Sequence, residues 1–149
     1  MFRVFSEKPL NRGDKAMKLL LKSQHDQLLH NGRVNSERSL EGEETLDFQP
    51  VVKFFTPDAG CTWLLSELDP DDPDIAFGLC DLGMGYPELG SVRLSELEQI
   101  RGPLGLPIER DRYFSADYSL SVYARAARLH DAITENSQSL RQAATVEAS

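Results

Sequence analysis

Two short turns at residues 57–60 (PDAG) and 70–73 (PDDP) separate three runs of strand-forming residues, and this spacing leaves few ways to fold the middle of the chain. Residues 51–56, 62–68 and 75–80 are rich in β-branched, aromatic and aliphatic side chains. Pairing across the first turn sets Phe54 opposite Trp63 and Val52 opposite Leu65. Pairing across the second sets Trp63 opposite Leu79 and Leu65 opposite Phe77. Alternation then predicts one apolar face made of Val52, Phe54, Trp63, Leu65, Ile75, Phe77 and Leu79. The other face, with Lys53, Thr62, Ser66, Ala76 and Gly78 beside Phe55 and Leu64, is mixed. The same register points Cys61 to the core side and Cys80 away from it, so a disulfide between them is not expected.

Around this meander the signals are shorter. Residues 18–21 form an apolar run that suits a strand. Ser23 reads as a helix N-cap with Asp26 three residues on, and Asn31-Gly32 reads as a C-terminal stop, so a helix over 24–31 is expected. Residues 33–47 are polar and aperiodic and read as a loop. Residues 88–94 read as a fourth strand, and Ser95 with Glu98 as the capping box of a short helix ended by Gly102-Pro103. Residues 106–114 read as extended, with the alternating charges Glu109, Arg110, Asp111 and Arg112 forming cross-strand ion pairs. Ser121 reads as the cap of a last helix with an apolar stripe of Val122, Ala126, Leu129 and Ile133. The expected fold class is α+β: a single domain, an antiparallel β-meander of four to five strands with short flanking helices and a C-terminal amphipathic helix. Its expected bounds are 17–133, with 1–16 as an extension and 134–149 as a disordered tail.

Charge is unevenly distributed. Residues 1–38 carry eight Lys and Arg against four Asp and Glu, whereas 41–88 carry twelve acids against Lys53 alone. The middle of the chain therefore repels phosphate, which counts against a nucleic-acid binder. No apolar run approaches the length that spans a bilayer, and the first residues lack the apolar core of a signal peptide, so no membrane role and a cytoplasmic location are expected.

The usual catalytic signatures are missing. His25, His30 and His130 are scattered, and HExxH, CxxC, GxSxG and phosphate-binding loops are absent. The acids Glu67, Asp69, Asp71, Asp72 and Asp74 invite a calcium reading, but counting from Asp69 puts Asp74 where an EF-hand needs glycine and Cys80 where it needs glutamate. Asp81 and Glu88 flank the turn GMGYP, where two carboxylates could serve as an acid/base pair. Alternatively, Asp81 accepts hydrogen bonds from the turn's own amides. The candidate binding residues are thus Asp69, Asp71, Asp72, Asp74, Asp81, Tyr86 and Glu88, with no catalytic residue, metal ligand or cofactor assigned.

Several separated motifs carry a family resemblance. ELDP (67–70), FGLCDLG (77–83), PELG (87–90), the serine-to-glutamate run 91–98 and GLPIERD (105–111), with HNGR (30–33) ahead of them, resemble the domain of unknown function 2958 family. The resemblance covers about residues 17–114 and implies a small bacterial protein carried by plasmids, integrative elements and phages. It also aligns Met17-Lys18-Leu19-Leu20 with the family's start, so residues 1–16 would be an extension. It carries no catalytic residues.

The expected function is a non-enzymatic accessory protein of a mobile element, acting through contacts with a host or element-encoded protein. In its sharper form the acidic surface mimics DNA and occupies a nucleic-acid-binding protein. One alternative is nucleic-acid binding through Lys15, Lys18, Lys22, Arg33 and Arg38, with Trp63 or Tyr86 stacking on bases. Another is a metal-dependent enzyme around Asp81 and Glu88.

Overall fold

A computed structural model describes residues 6–7 and 19–148. In chain order the elements are β1 (Ser6–Glu7), α1 (Lys22–Leu40), β2 (Val52–Phe55), β3 (Thr62–Leu68), β4 (Ile75–Asp81), β5 (Glu88–Arg93), α2 (Leu94–Gln99), β6 (Ile100–Arg101), β7 (Glu109–Arg110), α3 (Leu120–His130) and α4 (Ser137–Ala148). Five strands form one antiparallel sheet in the order β5-β4-β3-β2-β7, and β1 pairs with β6. This is the expected α+β domain with its meander and a C-terminal helix. Apart from Ser6 and Glu7, the proposed extension 1–16 lies outside the described residues, as does Lys18. Leu19 and Leu20 are in a turn rather than a strand, with their side chains buried in the core.

The first hairpin follows the expected register, with Phe54 opposite Trp63 and Val52 opposite Leu65. The second does not. Trp63 faces Cys80, Leu64 faces Leu79 and Leu65 faces Gly78, while beyond a β-bulge Glu67 faces Phe77 and Leu68 faces Ala76. The bulge inserts Ser66 as an unopposed residue. One extra residue moves the β4 side chains to the opposite side, because side chains alternate with period two. Ile75, Phe77 and Leu79 therefore leave the predicted apolar face, and Ala76 and Cys80 take their place.

The sheet consequently has two packed faces. One carries Val52, Phe54, Trp63, Leu65, Leu68, Ala76 and Val92 against Leu28 of α1 and Leu94 and Leu97 of α2. The other packs Leu64 and Leu79 under α3 and α4. Gly78 makes the bulge region possible, since a Cβ there would lie 2.0 Å from the Leu64 carbonyl oxygen. Cys80 shares the first core with Cys61, so the expected divergence of the two thiols is corrected. Both are nonetheless free. Burial raises the Cys61 thiol above its usual pKa and pushes Cys80 up to about 11. Both thiols should react slowly in the native protein and fully after denaturation without reductant. A denatured, unreduced sample with no titratable thiol would contradict the structure.

Helix α1 is more than twice as long as expected. Its start is closed by Gln24, whose Oε1 accepts the Leu21 amide at 3.0 Å, rather than by Ser23. Asn31 and Gly32 do not stop it, because both are used against β3. Asn31 Nδ2 donates to the Ser66 carbonyl at 2.9 Å, and a Cβ on Gly32 would sit 1.7 Å from the Leu68 carbonyl oxygen. The real stop is Gly42 at φ +75°, where the amides of Gly42 and Glu43 bond the carbonyls of Ser39 and Arg38.

Two other helix starts are capped from a distance. Asp74 accepts the Ser95 amide at 2.9 Å and its hydroxyl at 2.6 Å, so Ser95 lies inside α2 rather than capping it. Asp47 accepts the amide and hydroxyl of Ser121, inside α3 after the N-cap Ser119. The α3 stripe holds at Val122 and Ala126, but Leu129 is exposed. The expected tail is replaced from Ser137 by α4, which buries Leu140 and Ala143 against α3. Asn136 caps it by accepting the Ser139 amide at 3.0 Å. Among the alternating charges, Asp111 pairs with Lys53 at 3.6 Å across the strands, while Arg110 donates instead to the Leu19 carbonyl at 2.7 Å.

Candidate functional site: an anionic groove with apolar walls

The bulge in β3 does more than shift the register. It turns Glu67 onto the face of Phe77, where α3 no longer covers the sheet. Asn35, one helical turn beyond Asn31 on α1, donates to Glu67 Oε2 at 2.9 Å. The same amide group fixes the loop after α1, donating to the Leu46 carbonyl at 3.1 Å and accepting the Leu46 amide at 2.7 Å. One buried side chain thus ties a helix, a strand and a loop around one carboxylate.

These three elements enclose two adjoining hollows of about 520 and 320 Å³ that share Asn35, Thr45, Glu67 and Phe77. Leu40, Leu46, Phe77 and Leu89 line them and stay open to solvent, at 85%, 44%, 36% and 42% exposure. The charged lining residues are Asp47, Glu67, Asp69 and Asp71, and none of the lining residues is Lys, Arg or His. Asp47 is engaged by Ser121, and Asp69 accepts the Asp71 amide at 2.8 Å. Glu67 has Asn35 as its single hydrogen-bond donor among the described residues.

Burial raises the Glu67 pKa above its ordinary 4.5, and the Asn35 bond only partly opposes that. The native state therefore holds this proton more tightly than the unfolded chain. The group's contribution is fully favourable below the unfolded pKa and is lost as pH rises through the raised value. Glu67→Gln keeps an acceptor for Asn35 and removes the penalised charge. Its Tm is expected to rise by about 1–3 °C at neutral pH, with the gain vanishing below pH about 4. An unchanged or lower Tm at neutral pH would contradict this picture of the carboxylate.

The residues singled out in the sequence scatter. Asp69 and Asp71 line the groove. Asp72 and Asp74 sit beside it as ion-pair partners of Arg93, at 3.1 and 3.5 Å. Asp81 is buried, with one oxygen accepting the Gly83 amide at 2.8 Å and the other the Ile133 amide at 2.9 Å. Glu88 pairs with Cys80, so it lies on the opposite sheet face from Asp81, and the two carboxylates do not form an acid/base pair. Tyr86 and Glu88 border a separate open hollow of about 510 Å³ with Arg128 and Asp131. Trp63 is fully buried and presents no stacking surface. Lys22 pairs with Asp26, Arg38 donates to the Glu44 carbonyl, and Lys15 and Lys18 lie outside the described residues. Among the described residues, no three His, Cys, Asp or Glu converge as a metal set, and no helix is long and apolar enough to cross a membrane.

Asn35, Phe77 and Leu89 were missed as site residues, and Glu67 was considered only among the calcium-reading acids, because the groove residues come from separate elements. One signal was available: Leu28, Asn31, Gly32 and Asn35 share one helical face, and amides on an otherwise buried face mark a helix packed against exposed strand carbonyls.

A family model described as protein of unknown function (DUF2958) matches residues 19–134. The chain belongs to that family. The match spans both halves of the groove, from α1 to the end of α3, and stops before α4. No curated protein and no solved structure matches the chain.

Proposed function

We propose that this DUF2958 protein is a non-enzymatic interaction module that receives a partner protein in the Phe77–Leu89 groove. The observation that carries the reading is the cluster of four solvent-open apolar side chains, Leu40, Leu46, Phe77 and Leu89, around two adjoining hollows at one end of the sheet. Exposed apolar side chains gathered around adjoining hollows, in a chain of net charge −8, favour a contact site over a solubilising face. Asp81 is committed to backbone amides on both oxygens, which leaves it no free function as an acid or base. The accessory role in mobile elements rests on the motif resemblance. Its DNA-mimic form draws less support, because Asp72, Asp74 and Asp81 are spent on Arg93, Ser95 and backbone amides inside the fold.

The test compares the native protein with a Phe77→Asp, Leu89→Asp variant as baits in lysate of a cell that carries the gene. Proteins retained by the first and lost from the second, at equal melting temperature, support the groove. Identical capture by the two baits would reject it.

A further inference from the structure

We infer that the groove's occupant is a basic, apolar segment of a partner protein, held by an Arg or Lys side chain that reaches Glu67. This rests on the interaction reading above and adds the chemistry of the guest. The apolar walls alone would admit any greasy segment. Charge narrows the choice, since four acids and no cation line the groove. Two of the four are already engaged by neighbours, Asp47 by Ser121 and Asp69 by the Asp71 amide. Glu67 stands apart. It is partly buried, it is turned into the groove by the bulge, and only Oε2 receives a donor. A guanidinium or ammonium group would supply the donors that Oε1 lacks, in a setting drier than bulk water, where charge-assisted bonds are stronger.

The other occupants fit less well. Nucleic acid is repelled by the same four acids. A second copy brings a net charge of −8 toward an acidic surface. The combined volume of the hollows suits a few side chains rather than a folded surface. The leucines and Phe77 flanking the carboxylate match the aliphatic stem of an Arg or Lys, which packs on apolar surface while its head pairs.

The test uses a short acetylated and amidated peptide alternating leucine with arginine, and its counterpart with citrulline, which keeps the shape and loses the charge. Binding is measured by calorimetry at physiological ionic strength, which screens diffuse attraction. The native protein is expected to prefer the arginine peptide by about tenfold or more, and Glu67→Gln to cut that preference to about threefold or less. Glu96→Gln, which removes one exposed acid on α2 outside the groove, should leave the preference intact. Equal binding of both peptides by the native protein would overturn the inference. So would equal losses in the two glutamine variants, which would mean attraction to net charge alone, and so would peptide-independent self-association in sedimentation. If Phe77→Asp with Leu89→Asp abolishes capture from lysate while Glu67→Gln leaves the arginine preference intact, the surface stands and the cation assignment falls. If the double variant changes no capture, the surface itself falls.

Discussion

Gly32→Ala is expected to destabilise this protein severely. In an ordinary helix interior, glycine to alanine stabilises by about 1 kcal/mol. At Gly32 the new Cβ would lie 1.7 Å from the Leu68 carbonyl oxygen and 2.8 Å from its carbon. Those are backbone atoms at the end of β3, so no side chain can swing aside. Helix α1 must retreat from the strand by more than an ångström. That retreat stretches the bonds from Asn31 to Ser66 and from Asn35 to Glu67, and leaves buried polar groups short of partners. Overpacking with lost buried hydrogen bonds costs about 3–5 kcal/mol, which exceeds the propensity gain. Loss of about 6–15 °C in Tm, or failure to accumulate as folded protein, is the expected result. A variant that melts at or above the native temperature would mean that α1 does not pack on β3 through this glycine.

Asp81→Ala is expected to be costly as well. The carboxylate is 4% exposed and accepts the Gly83 and Ile133 amides, so it fastens the GMGYP turn to the chain that follows α3. Removing it strips two charge-assisted bonds and leaves amides with poor access to water. A cost of about 2–4 kcal/mol follows, or about 4–12 °C in Tm for a chain of this size. Asp81→Asn retains one good acceptor and should recover roughly half of that loss. If Asp81 were instead a solvated acid serving chemistry, its alanine variant would keep the native Tm.

These two residues also show how far local sequence signals reach. Turn chemistry at 57–60 and the alternation of 51–56 and 62–68 are local, and they set the Phe54–Trp63 register. The bulge at Ser66 is not local. There the Ser66 carbonyl accepts from Asn31, thirty-five positions away, in place of a strand partner. Without that contact in view, period two carried through β4 puts Phe77 and Leu79 on the wrong side. Asn31-Gly32 was misread for the same reason. A dipeptide that ends helices when solvated continues one when its amide and its missing side chain are both used by a neighbouring strand. Helix α4 failed on a weaker signal, since Asn136, Leu140, Ala143 and Ala144 form a cap and a face too small to stand alone without α3. The candidate site suffered most. Acid density drew attention to 69–74 and to Asp81, yet density measured along the chain says nothing about which carboxylates the fold consumes. Asp72, Asp74 and Asp81 hold Arg93, the start of α2 and backbone amides, whereas the partly buried Glu67 lines an apolar hollow with a single donor.

The central claim is that the Phe77–Leu89 groove is where a partner sits, and site-directed photocross-linking in the producing cell tests it most directly. A photoreactive amino acid is placed at Leu89, in the groove, or at Leu104, which is 80% exposed and lies outside it. The account predicts a discrete heavier adduct from position 89 that is weakened by Glu67→Gln, and none from position 104. No adduct at 89, or the same adducts from both positions, would contradict it.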